Sequence, residues 1–234
     1  MRGLVVVSVL AFAACSDAGG PAPVVVPQLA IVAGDQQTDA VMRTLPVQLG
    51  ARLTNKATGE PLPGRIVNWV VVEGGGTVFV AVTQTASDGV ARQSWTLGPH
   101  AGGQRLIARW LDPETGEAVT LDTARAIATP DTAVSFEIVP VTLWFHYDSL
   151  QTDTVRIEVQ SADAYGNQTS ACADLGWRSE SPTRVWPLNV VETRNARQYA
   201  LFRIDFYVGG PAVRLSANPS CGAADSVMVM YSWN

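Results

Sequence analysis

The chain holds two imidazoles, His100 and His146, and neither stands in a recognisable catalytic pattern. There is no Gly-x-Ser-x-Gly, no His-Glu-x-x-His, no Cys-x-x-Cys and no phosphate-binding glycine loop. His100, in Gly98-Pro99-His100-Ala101-Gly102-Gly103, reads as a solvated turn, and His146, in Leu143-Trp144-Phe145-His146-Tyr147, as a strand residue. Asp163 and Asn167 bracket Ala164-Tyr165-Gly166 and could offer oxygens to calcium, but the segment lacks the dense carboxylate alternation of such loops and reads as a turn. Asp112, Glu114 and Glu117 read as the acidic end of a hairpin, and no pair of carboxylates is singled out for glycoside cleavage. The expectation is a protein without catalytic residues, metal or cofactor.

The three cysteines carry more information. Met1-Arg2-Gly3 is followed by an uncharged apolar run of about eleven residues, Leu4 to Ala14, too short to span a bilayer, which needs roughly 20. Phe12-Ala13-Ala14-Cys15 resembles the bacterial lipobox, with phenylalanine in place of the usual leucine. That resemblance implies cleavage before Cys15 and its lipidation, so residues 1–14 are expected to be a signal peptide and Cys15 the membrane anchor. By the same bacterial sorting rules Ser16 favours the outer membrane. Residues 15–28, with Gly19-Gly20-Pro21-Ala22-Pro23 and Pro27, read as an extended tether. Cys172 and Cys221 are then left as an even pair in an oxidising compartment and are expected to form a disulfide. Closing that loop would stabilise its unit by roughly 4 kcal/mol in the chain-entropy model.

The elements behind these residues are β. Twenty glycines and fourteen prolines are spread along 234 residues, as many short strands joined by tight turns require. Strands are expected at 29–33, 46–53, 66–72, 77–83, 90–97, 105–111 and 120–127, enough for one sandwich. Ile66 to Val72 is apolar on nearly both faces and reads as a central strand with Trp69 as its core anchor. Gly34-Asp35-Gln36-Gln37, Leu45-Pro46, Pro63-Gly64, Val67-Asn68-Trp69, Gly74-Gly75-Gly76, Ala86-Ser87-Asp88-Gly89-Val90 and Trp95-Thr96-Leu97-Gly98 resemble, in their order, the group 1 bacterial Ig-like domain of intimin- and invasin-type surface proteins. The resemblance covers about residues 29–130 and implies a non-catalytic spacer or display module.

After Ala128-Thr129-Pro130-Asp131, strands are expected at 134–139, 141–147, 154–160, 175–179, 199–208, 213–217 and 227–233. Residues 131–234 therefore read as a second Ig-like sandwich, and Trp177 resembles the third-strand tryptophan of other bacterial Ig-like groups. The overall fold class expected is all-β, two tandem Ig-like sandwiches. Of eighteen aromatic residues thirteen fall between Phe136 and Trp233, so the second unit has the material for recognition by exposed rings. Trp144, Tyr147, Trp186 and Tyr207 are its candidate binding residues. A net charge of −5 with no run of Lys or Arg excludes nucleic acid as partner.

The expected function is a lipid-anchored cell-envelope protein whose first unit is a spacer and whose second meets a protein or polysaccharide. The alternative is a carbohydrate-binding surface lipoprotein. Cys15→Ala should abolish incorporation of a fatty-acid analogue and release or stall the protein; an unlabelled wild-type chain would refute the anchor.

Overall fold

The computed structural model describes residues 25–139, 142–147, 152–170, 175–194, 197–205 and 212–233, with the backbone alone at 145–147, 152 and 231–233. Residues 1–24, with Cys15, and also Cys172 and Tyr207, lie outside the described residues, and Pro27 and Gln28 of the expected tether belong to the first strand. Every regular element among those described is a strand.

Two cores organise the chain. The first lies between a sheet of β1 (Pro27–Ala33), β3 (Leu49–Asn55) and β7 (Val90–Gln93), and a sheet ordered β2 (Gln37–Ala40), β10 (Ala118–Thr129), β9 (Gly102–Leu111), β4 (Ile66–Glu73), β6 (Val82–Gln84). A two-stranded ribbon of β5 (Thr77–Val78) and β8 (Trp95–Thr96) closes one side. The alternation in β4 dictates its packing: Val67 and Trp69 point inwards and are buried, while Ile66 and Val72 on the other face are exposed. Trp69 is the core anchor expected of it, and its indole nitrogen donates to Thr83 Oγ1 at 2.7 Å.

The second core lies between a sheet ordered β11 (Ser135–Val139), β13 (Thr152–Ala162), β16 (Arg197–Asp205), β15 (Val185–Arg194) and one ordered β12 (Thr142–Tyr147), β18 (Asp225–Trp233), β17 (Val213–Ala217), β14 (Arg178–Ser179). Phe202, Ile157, Ile204, Leu215 and Val229 are fully enclosed there. Trp177 packs against this core with its ring edge-on to Phe202, centroids 4.7 Å apart, one of the favourable geometries of an aromatic pair.

The two sandwiches repeat one wiring. In each, the second strand runs parallel to the last (β2 with β10, β12 with β18), and the last pairs antiparallel with the strand before it. Each also solves the same edge problem, since the first strand has amides with no sheet partner on one side. The Ile31 amide donates to Asp122 Oδ2 at 2.8 Å, and the Ile138 amide to Asp225 Oδ2 at 2.8 Å. Both aspartates belong to the last strand of their sandwich, so one carboxylate ties the two sheets together in each case.

Two expected strands come out divided. The stretch 77–83 breaks at Phe79–Ala81 into β5 and β6, and 90–97 breaks at Ser94 into β7 and β8. The reason is that each segment changes partner: β7 pairs with β3, whereas β8 pairs with β5. Two strands were not expected at all. β2 is short and polar, and β15 contains Pro187, which removes a ladder donor and demotes a strand in any reading by propensity. The glycines mark where backbone meets backbone: a Cβ on Gly98 would stand 1.8 Å from the carbonyl oxygen of Gly74.

Phe202→Ala should cost about 3–5 kcal/mol by leaving an unfilled cavity, and Gly98→Ala should destabilise the first core by forcing the Gly74 strand end aside. Urea denaturation checks both; a wild-type midpoint for either variant would contradict this packing.

Candidate interaction surface

Trp144 lies on β12, an edge strand, and alternation turns it outwards: Leu143 packs on the core while Trp144 is 58% exposed. Tyr147 is on the same strand in register with Trp233. Trp186 lies on β15, the edge strand of the opposite sheet, next to fully buried Val185, and the guanidinium of Arg203 sits 5.7 Å from its ring centroid. That is a cation–π contact on the outer face. Trp144 and Trp186 therefore point away from one another across a shared core and do not form one footprint.

What does gather around Trp186 is a patch that sequence reasoning missed. Leu188, Val190 and Val191 are all exposed large aliphatic side chains on the same edge strand. The local cause is a bulge: the pairing of β15 with β16 shifts between Pro187 and Val191, and Asn189 has φ 55°. Asparagine tolerates the left-handed region better than most residues. A bulge twists an edge and discourages indiscriminate strand addition, yet here it also brings consecutive aliphatic residues to the surface. Beside them the outer face of the sheet carries Arg156 paired with Glu192, and Arg197 paired with Glu158 at 3.0 Å. The signal that could have revealed the patch is the run Val185 to Val191 itself, masked by its proline.

Cys221 is half-buried against the second core. His100 is exposed in its turn, and its carbonyl accepts a hydrogen bond from Gln104. Among the described residues no three His, Cys, Asp or Glu side chains come together as a metal site. Asp112 closes the β9–β10 hairpin as an acidic turn: its carboxylate accepts the amides of Thr115 and Glu114, which lower its pKa.

Asp163 is only 3% exposed, which a carboxylate tolerates only when it is fully hydrogen-bonded. Its Oδ1 accepts the amides of Tyr165 and Asn167, both at 2.9 Å, and its Oδ2 accepts the Asp131 amide at 3.0 Å and the Asn167 side-chain amide at 2.9 Å. Both oxygens are thus occupied by protein donors, leaving no oxygen to spare for calcium. The Asn167 side chain continues outwards, donating to the Pro99 carbonyl at 2.8 Å and accepting from the Ala101 amide at 2.8 Å. One turn of the second sandwich is in this way bonded both to the connecting segment and to a turn of the first. Burial by itself raises the Asp163 pKa, but these hydrogen bonds outweigh it and hold the carboxyl at about 2.

With this geometry in view, the architecture is that of an Ig-like all-β protein. Among solved structures it resembles the Escherichia coli adhesin FdeC, with a TM-score of 0.53, 15% identity, and coverage of 91% of this chain and 66% of that one. At that identity the likeness shows the fold alone, and this chain spans just under two thirds of the FdeC chain. Weaker matches are the D0–D1 domain of intimin, at TM-score 0.31 and 14% identity over 87% of this chain and 94% of that one, and DIP-gamma IG1+IG2, at 0.39 and 11% over 88% and 98%. No family model matches the chain, and no curated protein matches it.

A carboxyl whose folded-state pKa of about 2 lies below its ordinary 3.8 contributes stability that is complete above the ordinary value and is lost as the pH falls through the folded one. The wild type should therefore lose stability between about pH 4 and pH 2 more steeply than Asp163→Asn, which should be weaker at neutral pH. Urea midpoints measured across that range check this, and parallel curves for the two proteins would remove Asp163 from the account.

Proposed function

We propose that this chain is a lipid-anchored protein of the bacterial cell envelope that displays two Ig-like domains and binds a protein partner without catalysis. Cys15 is the acylated mature N-terminus, residues 15–28 the tether, 29–130 the spacer domain and 131–234 the recognition domain, with a Cys172–Cys221 disulfide in the latter. The observation that carries the recognition role is the exposed aliphatic run Leu188, Val190 and Val191 beside Trp186 on an edge strand. Aromatic and aliphatic anchors bordered by ion pairs are the common anatomy of a protein-binding patch. The fold shared with the FdeC adhesin supports the envelope setting as an analogy of architecture.

Trp144, Tyr147 and Tyr207 stay as secondary candidates, and Trp144, facing the other way, belongs to a separate contact. The test is attachment of cells displaying the full chain to partner cells or to an immobilised envelope fraction. Trp186→Ala combined with Val190→Lys should reduce attachment at least about tenfold, as loss of a central anchor does, whereas Asp112→Lys with Glu114→Lys should leave it unchanged. If the first-domain variant reduces attachment and the β15 variant does not, the assignment of recognition to residues 131–234 is wrong.

A further inference from the structure

The five-stranded sheet of the first sandwich turns one face to its core and the other outwards, and the outward face is not the polar one that alternation normally leaves to solvent. Ile66 on β4, Val82 on β6, and Leu121 and Ile127 on β10 are all between 46% and 56% exposed there, with half-buried Val70 and Ile107 among them. The register makes them neighbours. Val82, Asn68, Arg109 and Leu121 stand in one row across four strands, and Val70, Ile107 and Thr123 in the next. A contiguous exposed apolar face of this kind marks a contact surface. Its charges are mostly of one sign: Arg105, Arg109 and Arg125 lie on the outward side of β9 and β10, and Glu73, which pairs with Arg105, is the one acidic side chain on that side of the described strands. Asp35, at the border, is taken up by the Arg125 amide. Arg109 and Arg125 make no ion pair among the described residues, so the face holds a local surplus of positive charge in a chain whose net charge is −5.

We infer that this face docks on an anionic lipid surface. The inference rests on the reading of Cys15 as the lipid anchor and adds a second, weaker contact with the same membrane. Residues 15–24 separate Cys15 from Val25, a reach of about 35 Å at most, so acylation at Cys15 holds the sandwich close to the bilayer. The chain also enters the fold beside this face: the Leu29 amide donates to Thr120 Oγ1 at 3.0 Å and the Ile31 amide to Asp122 Oδ2 at 2.8 Å, the two residues flanking Leu121. Aliphatic side chains settle at the boundary of headgroups and acyl chains, while arginines beside them meet the negative headgroups. A second copy is a poorer occupant, since a two-fold pairing would set the three arginines against a face holding the same three and a single glutamate. The outward side of these strands also lacks Trp, Tyr and Phe, the usual anchors of a protein contact.

The experiment is co-sedimentation of the full mature chain, carrying Cys15→Ser so that no acyl chain contributes, with vesicles of phosphatidylethanolamine and phosphatidylglycerol and with vesicles of phosphatidylcholine alone. Binding to the anionic vesicles should be at least about tenfold tighter and should weaken as salt is raised. Arg109→Gln combined with Arg125→Gln should weaken it about tenfold, the loss of two charges at the surface, whereas Trp186→Ala should bind as the unsubstituted chain does. Should the Arg109 variant fail to fold, Arg125→Gln with Leu121→Asp, both at exposed positions, carries the test with the same expected loss. No vesicle binding, equal binding to the neutral vesicles, unchanged binding by folded variants, or a dimer in ultracentrifugation that Leu121→Asp abolishes overturns the inference. The anchor fails separately, by an absence of fatty-acid label on the wild-type chain, and the attachment role of Trp186 and Val190 has its own readout.

Discussion

A buried carboxylate, that of Asp163, fixes the turn whose Asn167 side chain bonds the second sandwich to the first. Asp163 can remain charged away from water only because four protein donors face its two oxygens, and one of them is the amide of Asp131 in the connecting segment. Asn167 then passes the same network to Pro99 and Ala101 of the first sandwich. The network is specific in a way that apolar contact is not, because each bond fixes a direction, and an unmade bond would leave a buried polar group unpaired. A surface pair such as Arg43 with Asp131, at 4.0 Å and largely exposed, adds little to it.

Within each sandwich the equivalent role falls to another aspartate. Asp122 and Asp225 occupy the last strands and accept amides from the first, closing the gap between two sheets that share no backbone ladder there. That the same device recurs in both, with the same parallel pairing of second and last strands, makes the two sandwiches variations on one plan even though their sequences show no strict repeat. Their surfaces have diverged where the plan allows it. The first sandwich exposes Phe79, Val80 and Val82 around the break between β5 and β6. The second carries the β15 bulge with its exposed aliphatic run Leu188, Val190 and Val191.

The separation of the β15 edge from the end of the sandwich follows from strand geometry. An edge strand offers side chains on its outer face and unpaired backbone along its rim, which suits a protein partner. A sandwich end, where one sheet runs on past its neighbour, offers depth and convergent polar groups instead. Trp186 and Ser161 illustrate the contrast: both lie in the sheet of β11, β13, β16 and β15, but one ring lies on its outside while the other hydroxyl lies beneath it.

The sequence by itself determined the class of the protein: period-two alternation and regularly spaced turn residues specify strands, and Trp69, Phe202 and Ile204 had to be core because their positions share a face with other apolar residues. It also marked Asp112 and Asp163 as turn residues, since a short acceptor two residues ahead of backbone amides favours a turn in any context. Only the tertiary structure decided that Asp163 is buried and that Asn167 beside it reaches the first sandwich, because Asp131, which bonds Asp163, and Pro99 and Ala101, which bond Asn167, are far from them in the chain. It alone separated Trp144 from Trp186, since which sheet a strand enters is set by pairing over long sequence distances. β15 was hidden for a related reason: Pro187 lowers the local preference for a strand, and it is the ladder with β16, resumed after a bulge at Asn189, that overrides it. Local chemistry fixed what each segment could become, and distant neighbours fixed what it faces.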